Sequence, residues 1–237
     1  MSPSSGKADL HIHTCYSDGH PTVRAVLDHV ARRSRLQVIA ITDHDTIEGA
    51  LEARIHQHRY SFAIIVGEEV SSRDGHILGL FLERRIPPGL SAAETIVAIH
   101  EQNGLAIAAH PFIDWPFPSR RIMMQGVGHR ISTLPFDGVE VDNSTPFLRP
   151  ANFRARHYNR AFRQLPEIGN SDAHIVEAIG KGYTRFSGTT AADLRLAIES
   201  GACSAHHTFY GPRELLLYGR FWLQSCTPRR PAEAGSE

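Results

Sequence analysis

ADLHIH, residues 8–13, is the stretch of sequence that decides the fold. It is an apolar, β-prone run that ends in two histidines, His11 and His13. The same pattern, a short apolar run with imidazole or carboxylate groups at its end, recurs along the chain. The recurrences supply Asp18 in YSDG, His44 in AITDHD, Glu69 in IVGEEV, His76 in GHILGLF, His110 in AIAAHP, and Asp172 and His174 in GNSDAH.

These nine side chains predict a multinuclear metal site. Imidazoles and carboxylates bind borderline divalent ions such as zinc, manganese and iron. Residues that follow successive strands of an α/β barrel meet at one rim, where such enzymes keep their chemistry. A lone histidine in an apolar run is more often a hydrogen-bonded core residue than a ligand. Buried together without partners, however, nine such groups would cost several kcal/mol each, so the set indicates bound cations.

The rest of the chain alternates apolar runs with amphipathic stretches, which is typical of repeated βα units. Strands are predicted over residues 8–13, 38–42, 62–70, 77–81, 105–109, 138–141 and 167–170. Helices are predicted over residues 23–33, 92–102, 151–164 and 191–199. About seven strands fit a closed but irregular barrel better than an open doubly wound sheet. We expect one α/β domain over residues 8–227, a flexible N-terminus at residues 1–7 and a disordered tail at residues 228–237.

Composition excludes several classes of protein. Lysine plus arginine equal aspartate plus glutamate, at 25 each, so no net charge attracts an anionic membrane or indicates a stable nucleic-acid partner. Three widely spaced cysteines argue against a disulfide scaffold. No apolar run approaches membrane-spanning length, residues 1–7 lack the apolar centre of a signal peptide, and we expect a cytoplasmic protein. Glycine-rich phosphate loops are missing from the sequence, which removes nucleotide-cofactor folds.

The ordered motifs DLHIH, SDGH, TDHD, GEE, HILGLF, AHP and NSDAH resemble the PHP (polymerase and histidinol phosphatase) superfamily. Within it, the chain is most similar to the small stand-alone metal-dependent phosphoesterases. The resemblance runs from about residue 8 to residue 217. It implies a distorted (β/α)7, TIM-like barrel in a single domain. It also implies two to three divalent ions, zinc, manganese or iron, and hydrolysis of phosphate esters by a metal-bridging hydroxide.

The same resemblance implies a division of the ligands among three ions. The first ion would be bound by His11, His13, Glu69 and Asp172, the second by Glu69, His76 and His110, and the third by Asp18, His44 and His174. Glu69, Asp18 and His44 are then the catalytic candidates, through the metal-bound hydroxide and activation of the substrate. Glu68 competes with Glu69 for the bridging position, and the resembled motif favours Glu69 because its carboxylate stands two positions after the glycine.

The residues that would bind the phosphate are less sharply indicated. Residues 111–133, which are rich in proline, predict a long loop over the mouth of the site. The candidates are Arg120, Arg121 and Arg130 on this loop, together with Asn143 and Arg149 near the next helix. For any single arginine, a solvated loop or helix surface is the commoner role. Asp43 is expected to orient a ligand histidine.

A small phosphorylated substrate, a nucleotide or short oligonucleotide, fits these features best, and the oligomeric state stays open. A histidinol-phosphate-type phosphatase is an alternative that no motif selects or excludes. An amidohydrolase-like hydrolase usually bridges its metals with a carbamylated lysine, and here no lysine lies between Lys7 and Lys181. A non-catalytic metal-binding scaffold would be marked by lost ligands and by fusion to other domains, and we expect neither.

Overall fold

The computed structural model describes residues 5–113 and 125–226, without the side chains of residues 225 and 226. Within these ranges nine strands form one sheet. The strands are β1 (Ser5–Asp9), β2 (Val38–Ile41), β3 (Ala63–Ser72), β4 (Gly75–Leu80), β5 (Leu105–Ala108), β6 (Gly138–Asn143), β7 (Glu167–Asn170), β8 (Gly182–Ser187) and β9 (Cys203–His207). The α-helices are α1 (Val23–Arg33), α2 (Glu48–Ile55), α3 (Ala92–His100), α4 (Arg149–Phe162), α5 (Ala191–Glu199) and α6 (Pro212–Cys226).

The sheet curls into a nearly closed barrel. Its strand order is β7-β6-β5-β4-β3-β2-β1-β8-β9. Strands β1 to β3 are parallel to one another, and so are β5 to β7, whereas β4 is antiparallel to both of its neighbours. Beyond the end of β1, Ile12 forms a parallel bridge with Ala173, which follows β7. This bridge joins the two ends of the parallel part of the sheet and brings the chain after β1 beside the chain after β7.

Both faces of the sheet are buried from β2 to β7, as in other α/β barrels. In β2, Val38 and Ala40 pack in a cluster with Leu194 of α5. The alternate residues Ile39 and Ile41 pack in a second cluster, which contains the buried faces of α1, α2 and α3. Successive side chains of a strand point to opposite faces. The first cluster therefore lies on the inner face of the barrel and the second between the sheet and the surrounding helices.

The mixed α/β barrel class predicted from sequence is confirmed, and each of the seven predicted strands is present. The strand count was too low by two, because the polar sequences of β8 and β9 give no apolar run. The expectation of a flexible segment at residues 1–7 was wrong for residues 5–7, which belong to β1 and pair with β8. The predicted tail at residues 228–237 lies outside the described residues.

The stretch predicted as a long loop, residues 111–133, is described only at its two ends. At the second end, the backbone N–H of His76 donates to the carbonyl of Gln125, and a short 3-10 helix spans Gly128–Ser132. Val127 and Ile131 are completely buried there. This end of the stretch is therefore packed against the barrel. In the part of the chain that the structure describes, none of the helices combines the length and the apolar character needed to cross a membrane.

Candidate metal centre

The ends of the strands place the nine predicted ligands around one centre. His44, just after β2, forms a parallel bridge with Glu69 of β3, so the sheet extends to the ligands themselves. Two of the ligand residues have left-handed backbone conformations that are rare for residues other than glycine, with φ of 25° at His110 and 52° at Asp172. Such strained positions concentrate at functional sites, where the surrounding structure holds them in place.

Glu69 is the central residue of the site. One carboxylate oxygen, Oε1, lies 2.8 Å from Nδ1 of His76 and 3.0 Å from Nε2 of His110. The other oxygen, Oε2, lies 3.1 Å from Nε2 of His11 and 3.2 Å from Nε2 of His13. Oε2 also lies 3.4 Å from Nδ1 of His44. The carboxylate thus turns its two oxygens towards different groups of imidazoles, two at Oε1 and three at Oε2. This is the arrangement expected of a carboxylate that bridges two cations.

Two further carboxylates complete the set. Oδ1 of Asp172 lies 3.4 Å from Nε2 of His11 and 3.3 Å from Nε2 of His13, on the same side as Oε2 of Glu69. Asp18 lies apart from Asp172, with Oδ1 3.2 Å from Nε2 of His174. Its Oδ2 lies 3.8 Å from Nε2 of His44. The predicted third group, Asp18, His44 and His174, is therefore brought together as the sequence indicated.

The donor atoms fit divalent cations. In four groups of these residues the possible ligand atoms all lie within 4.8 Å of one another. Several of the atoms are buried and have no hydrogen-bond partner among the described residues, including Nε2 of His13, Nδ1 of His76 and Oδ2 of Asp18. Nδ1 of His76 is only 2.8 Å from Glu69, yet the two groups are not aligned for a hydrogen bond. Atoms that point at a common centre instead of at each other are characteristic of a metal site.

The electrostatics of the cluster also call for positive charge. Burial alone would raise the pKa of Glu69, but the imidazoles of His44, His11 and His76 hold it well below its ordinary value. Burial alone would lower the pKa of His13, but the nearby carboxylates of Asp172 and Glu69 raise it to about 10. The carboxylates of Glu69 and Asp172 therefore stay ionised and raise the pKa of His11, His13 and His110, which draws protons onto them, whereas burial lowers the pKa of His44. Bound divalent ions would supply the same charge without those protons.

The cluster is open on one side. Asp18 and His44 have side chains that are 15% and 26% exposed, whereas those of His11, Glu69 and Asp172 are at most 2% exposed. A substrate would therefore reach the centre from the Asp18 and His44 side. The predicted third group lies between solvent and the more deeply buried ligands around Glu69.

A buried carboxylate that the sequence did not single out supports this centre. Oε1 of Glu140, in β6, lies 3.1 Å from Nδ1 of His11, while Oε2 accepts a hydrogen bond from the backbone N–H of His110. Glu140 also accepts from the side-chain amides of Asn143 and Asn170. By binding Nδ1, Glu140 leaves Nε2 of His11 free to face Glu69 and Asp172. Contacts of this kind fix the tautomer and the orientation of ligand histidines.

We expect Glu140→Gln to weaken metal binding by about tenfold or more, because the amide is a weaker acceptor for the N–H of His11. Titration of the metal against a chelator would measure the change. Glu167→Gln is the matched control, since Glu167 lies on the neighbouring strand β7 and pairs with Arg160 at the surface. Equal metal affinity in the wild type and Glu140→Gln would contradict a positioning role for Glu140.

Asn143, predicted to bind the phosphate, has a different place in the structure. Its amide donates to Glu140 and, over 3.0 Å, to Oδ2 of Asp172, and its oxygen accepts from the backbone N–H of Thr145. The side chain is buried, and both its amide nitrogen and its oxygen are hydrogen-bonded to other residues of the protein. Asn143 therefore holds Asp172 in position and is not free to bind a substrate.

Asp43 was expected to orient a histidine, and this was wrong. Its carboxylate accepts hydrogen bonds from the backbone and hydroxyl of Thr14 and from the hydroxyl of Ser17. These bonds fasten the turn that carries Asp18. Glu68 points away from the cluster, because it lies on the opposite face of β3, where it accepts from the backbone N–H of Ile86. The strand alternation thus favours Glu69 over Glu68 as the central carboxylate.

The predicted phosphate-binding arginines are distributed over different places. Arg120 and Arg121 lie outside the described residues. The guanidinium of Arg130 pairs with Asp74 in the turn between β3 and β4, at 3.0 Å. Arg149 lines a cavity of about 460 Å³ beside the cluster, and its guanidinium lies 5.3 Å from the centre of the Phe209 ring. Arg149 alone of the four is thus placed at a cavity next to the centre, among the described residues.

Fold and cluster together define an α/β barrel with a candidate site for divalent metal ions at the ends of its strands. Two family models match the sequence, the PHP domain over residues 9–115 and the PHP-associated region over residues 149–203. An uncharacterized protein of Methanocaldococcus jannaschii is 38% identical over 172 residues, which are 68% of this chain and 94% of that protein. The chain belongs to the PHP family.

Two other proteins are informative for comparison. A 5'-3' exoribonuclease of Haemophilus influenzae is 27% identical over 200 residues, which cover 82% of this chain and 64% of that enzyme. A crystal structure from Bacteroides vulgatus, of a two-domain protein containing a predicted PHP-like metal-dependent phosphoesterase, superposes with a TM-score of 0.67. It shares 20% of its residues in an alignment covering 94% of this chain and 71% of that one, and this likeness shows the fold.

Proposed function

We propose that this chain is a metal-dependent hydrolase of phosphate esters that acts on nucleotides or short oligonucleotides. The observation that carries the proposal is the placement of Glu69, whose two oxygens face two different groups of imidazoles. A carboxylate in that position can bridge two cations, and dinuclear centres of this kind serve hydrolysis of phosphate esters. Relatives within the PHP family support the reaction class.

We propose the division of ligands that the family resemblance implies, although the closely spaced groups of donors overlap, with His13 beside Asp18, His44 and His174, and His44 beside Glu69 and His76. His11, His13, Glu69 and Asp172 would hold a first ion, Glu69, His76 and His110 a second, and Asp18, His44 and His174 a third. When bound, such ions lower the pKa of water and neutralise the charge on phosphoryl oxygens. Zinc, manganese and iron suit these nitrogen and oxygen donors.

The chain's own residues give the reaction its geometry. Glu69 belongs to both the first and the second group of ligands and so sets the distance between them. Glu140 sets the orientation of the His11 ring through its contact with Nδ1. Asp18 and His44, on the open side, would hold the ion that faces the phosphate of an incoming substrate. The turn that carries Asp18 is fastened through Ser17 to Asp43, so this position is set before a substrate arrives. Preorganised groups of this kind need no rearrangement as charge develops.

The substrate class rests on two observations. The Haemophilus influenzae relative is named as an exoribonuclease, so a related chain acts on a polynucleotide. The present chain has no net charge that would attract long polyanions, which favours short substrates. We therefore place nucleotides and short oligonucleotides before longer nucleic acids.

An amidohydrolase-type centre is disfavoured by the position of the lysines. A carbamylated lysine would have to reach the inner ligands. Instead, Lys7 lies over the ring of Tyr183, and Lys181 pairs with Glu214 at 2.7 Å. These are the two lysines of the chain. The bridging position therefore falls to Glu69.

We expect protein purified without chelators to carry at least about two divalent ions per chain, because the buried carboxylates need compensating charge. Elemental analysis would measure the content. A screen with the metals found would then compare nucleotides, short oligonucleotides, an amino-alcohol phosphate of the histidinol type and N-acyl amides. Removing the ions with a chelator should lower Tm, since ligands that bind only the folded state stabilise it.

A content well below one ion per chain would contradict the metal assignment. Hydrolysis of the amide substrates without hydrolysis of phosphate esters would contradict the reaction class. Preference for the amino-alcohol phosphate over every nucleotide would keep the reaction class and overturn the substrate class.

A further inference from the structure

A cavity lies beside the metal centre, and most of its lining residues have no role in the proposed hydrolysis of the phosphate ester. It is lined by the residues between β6 and α4, by α4 itself and by the residues after β9. Its volume, about 460 Å³, is within the range of small-molecule sites. Three phenylalanines line it and are largely exposed, Phe147 at 86%, Phe153 at 71% and Phe209 at 71%.

Phe147 is held in an unfavourable conformation. Its backbone has a φ of 75°, in the left-handed region that bulky side chains avoid, and its ring lies almost wholly in solvent. Burial of the ring therefore contributes nothing that would offset the backbone strain. A strained residue with an exposed aromatic ring at a cavity next to a candidate active site points to a role in binding.

Phe209 and Arg149 form a second recognition element. The guanidinium of Arg149 lies over the ring of Phe209, and no carboxylate pairs with it among the described residues. Opposite-charge partners occupy the other cationic groups at this cavity, since Arg156 and His207 both contact Asp142. An unpaired guanidinium beside an exposed ring is suited to an anionic ligand that also carries a flat aromatic group.

The cavity is joined to the metal centre through its wall. Asn143 lines the cavity and also donates to Asp172, one of the candidate ligands. Ser144, the next lining residue, donates from its hydroxyl to the carbonyl of Ser171. Asn143 therefore belongs both to the wall of the cavity and to the surroundings of Asp172. This adjacency connects the aromatic wall to the substrate of the proposed reaction.

We propose that this cavity binds the nucleobase of the substrate by stacking on Phe147 and Phe209, with Arg149 next to the stacked base. The proposal rests on the proposed function and narrows its substrate class to phosphate esters that carry a base. Stacking on aromatic side chains tolerates different bases, because every base has a π-face. The site would therefore select for nucleotides over plain sugar phosphates without selecting one base.

Binding to the metal-loaded protein tests the proposal with two matched ligands, adenosine 5'-monophosphate and ribose 5-phosphate. Both carry the same sugar phosphate and differ in the base. We expect the wild type to bind the nucleotide more tightly by about tenfold or more. Phe147→Ala and Phe209→Ala should each remove most of that preference. Phe162→Ala is the control, since Phe162 is also an exposed phenylalanine, 64% exposed, but does not line the cavity.

Three outcomes would overturn the base subsite. They are equal affinity of the wild type for the two ligands, a preference that persists in both variants, and an equal loss of affinity for both ligands in a variant. Hydrolysis is measured separately on the same proteins. A preference for the nucleotide without hydrolysis of any phosphate ester would contradict the proposed function and support the base subsite. Hydrolysis of phosphate esters without this preference would support the proposed function and contradict the base subsite.

Discussion

Glu69→Gln is expected to lower kcat by a factor on the order of 1000 and to remove about one bound ion or more per chain. The change keeps the size of the side chain but removes the charge and one of the two oxygen donors. Both oxygens are used in the structure, one towards His76 and His110 and the other towards His11 and His13. An amide cannot serve both pairs. Elemental analysis and the rate of phosphate release measure the two effects.

Glu68→Gln is the matched control for this variant. Glu68 is the preceding residue of β3, is equally buried, and lies on the opposite face of the strand. It accepts a hydrogen bond from the backbone of Ile86, which a glutamine oxygen can also accept. Burial raises the pKa of Glu68 to about 7, so the neutral amide replaces a group that is often protonated. We expect near-normal metal content and kcat.

The comparison of the two variants decides which glutamate bridges. Loss of activity in Glu68→Gln together with normal metal content in Glu69→Gln would mean that the bridging carboxylate lies one residue earlier. Equal, small effects in both variants would argue against any bridging carboxylate on β3.

The strands that could be predicted from the sequence are the buried ones. The strand β2 is completely buried, so its sequence VIAI is an unbroken apolar run that can be recognised. The strands β8 and β9 have partly exposed, polar sequences, GYTRFS and CSAHH. β8 pairs with the edge of β1 and β9 pairs with β8, and these tertiary contacts leave no periodic signal in the sequence.

The two helices that the sequence did not predict were missed for a related reason. In α2 the first residues are Glu48 and Gly49, and no side chain caps the helix. In α6 several large apolar residues are exposed, such as Leu216 and Leu223, so no clean amphipathic pattern marks it. Packing against the barrel, and not local signals, stabilises such helices.

The candidate site was predicted better than the fold around it. The motifs named nine candidate ligands, and the barrel brings all nine side chains together. Residues that support the ligands were not recognised, because their roles depend on distances between remote segments. Glu140 is a single carboxylate in the strand GVEVDN, and only the fold shows that it lies against His11. Asn143 was recognised but given the wrong role for the same reason.

The third group of ligands is the part of the proposed centre that most needs a test. His13 turns Nε2 towards Glu69 and Asp172 and Nδ1 towards Asp18, at 3.6 Å. A neutral imidazole has one nitrogen lone pair to offer, so His13 can serve only one ion at a time. If it serves the inner ions, Asp18, His44 and His174 are left with three protein donors. Three protein ligands with an open position are typical of a catalytic metal site.

Asp18→Asn should therefore remove about one ion per chain, leave the inner ions in place and lower kcat by a factor on the order of 100. The loss falls on kcat because the third ion would stabilise charge that develops only as the ester bond breaks. A change confined to KM would instead indicate that the ion binds the substrate and the transition state equally well. Glu52→Gln is the control, because the Glu52 carboxylate accepts from Tyr16 on the same turn but belongs to none of the ligand groups. Elemental analysis and steady-state kinetics measure both variants. Unchanged metal content with near-normal kcat in Asp18→Asn would reduce the centre to two ions and would leave Asp18, His44 and His174 as supports for His13.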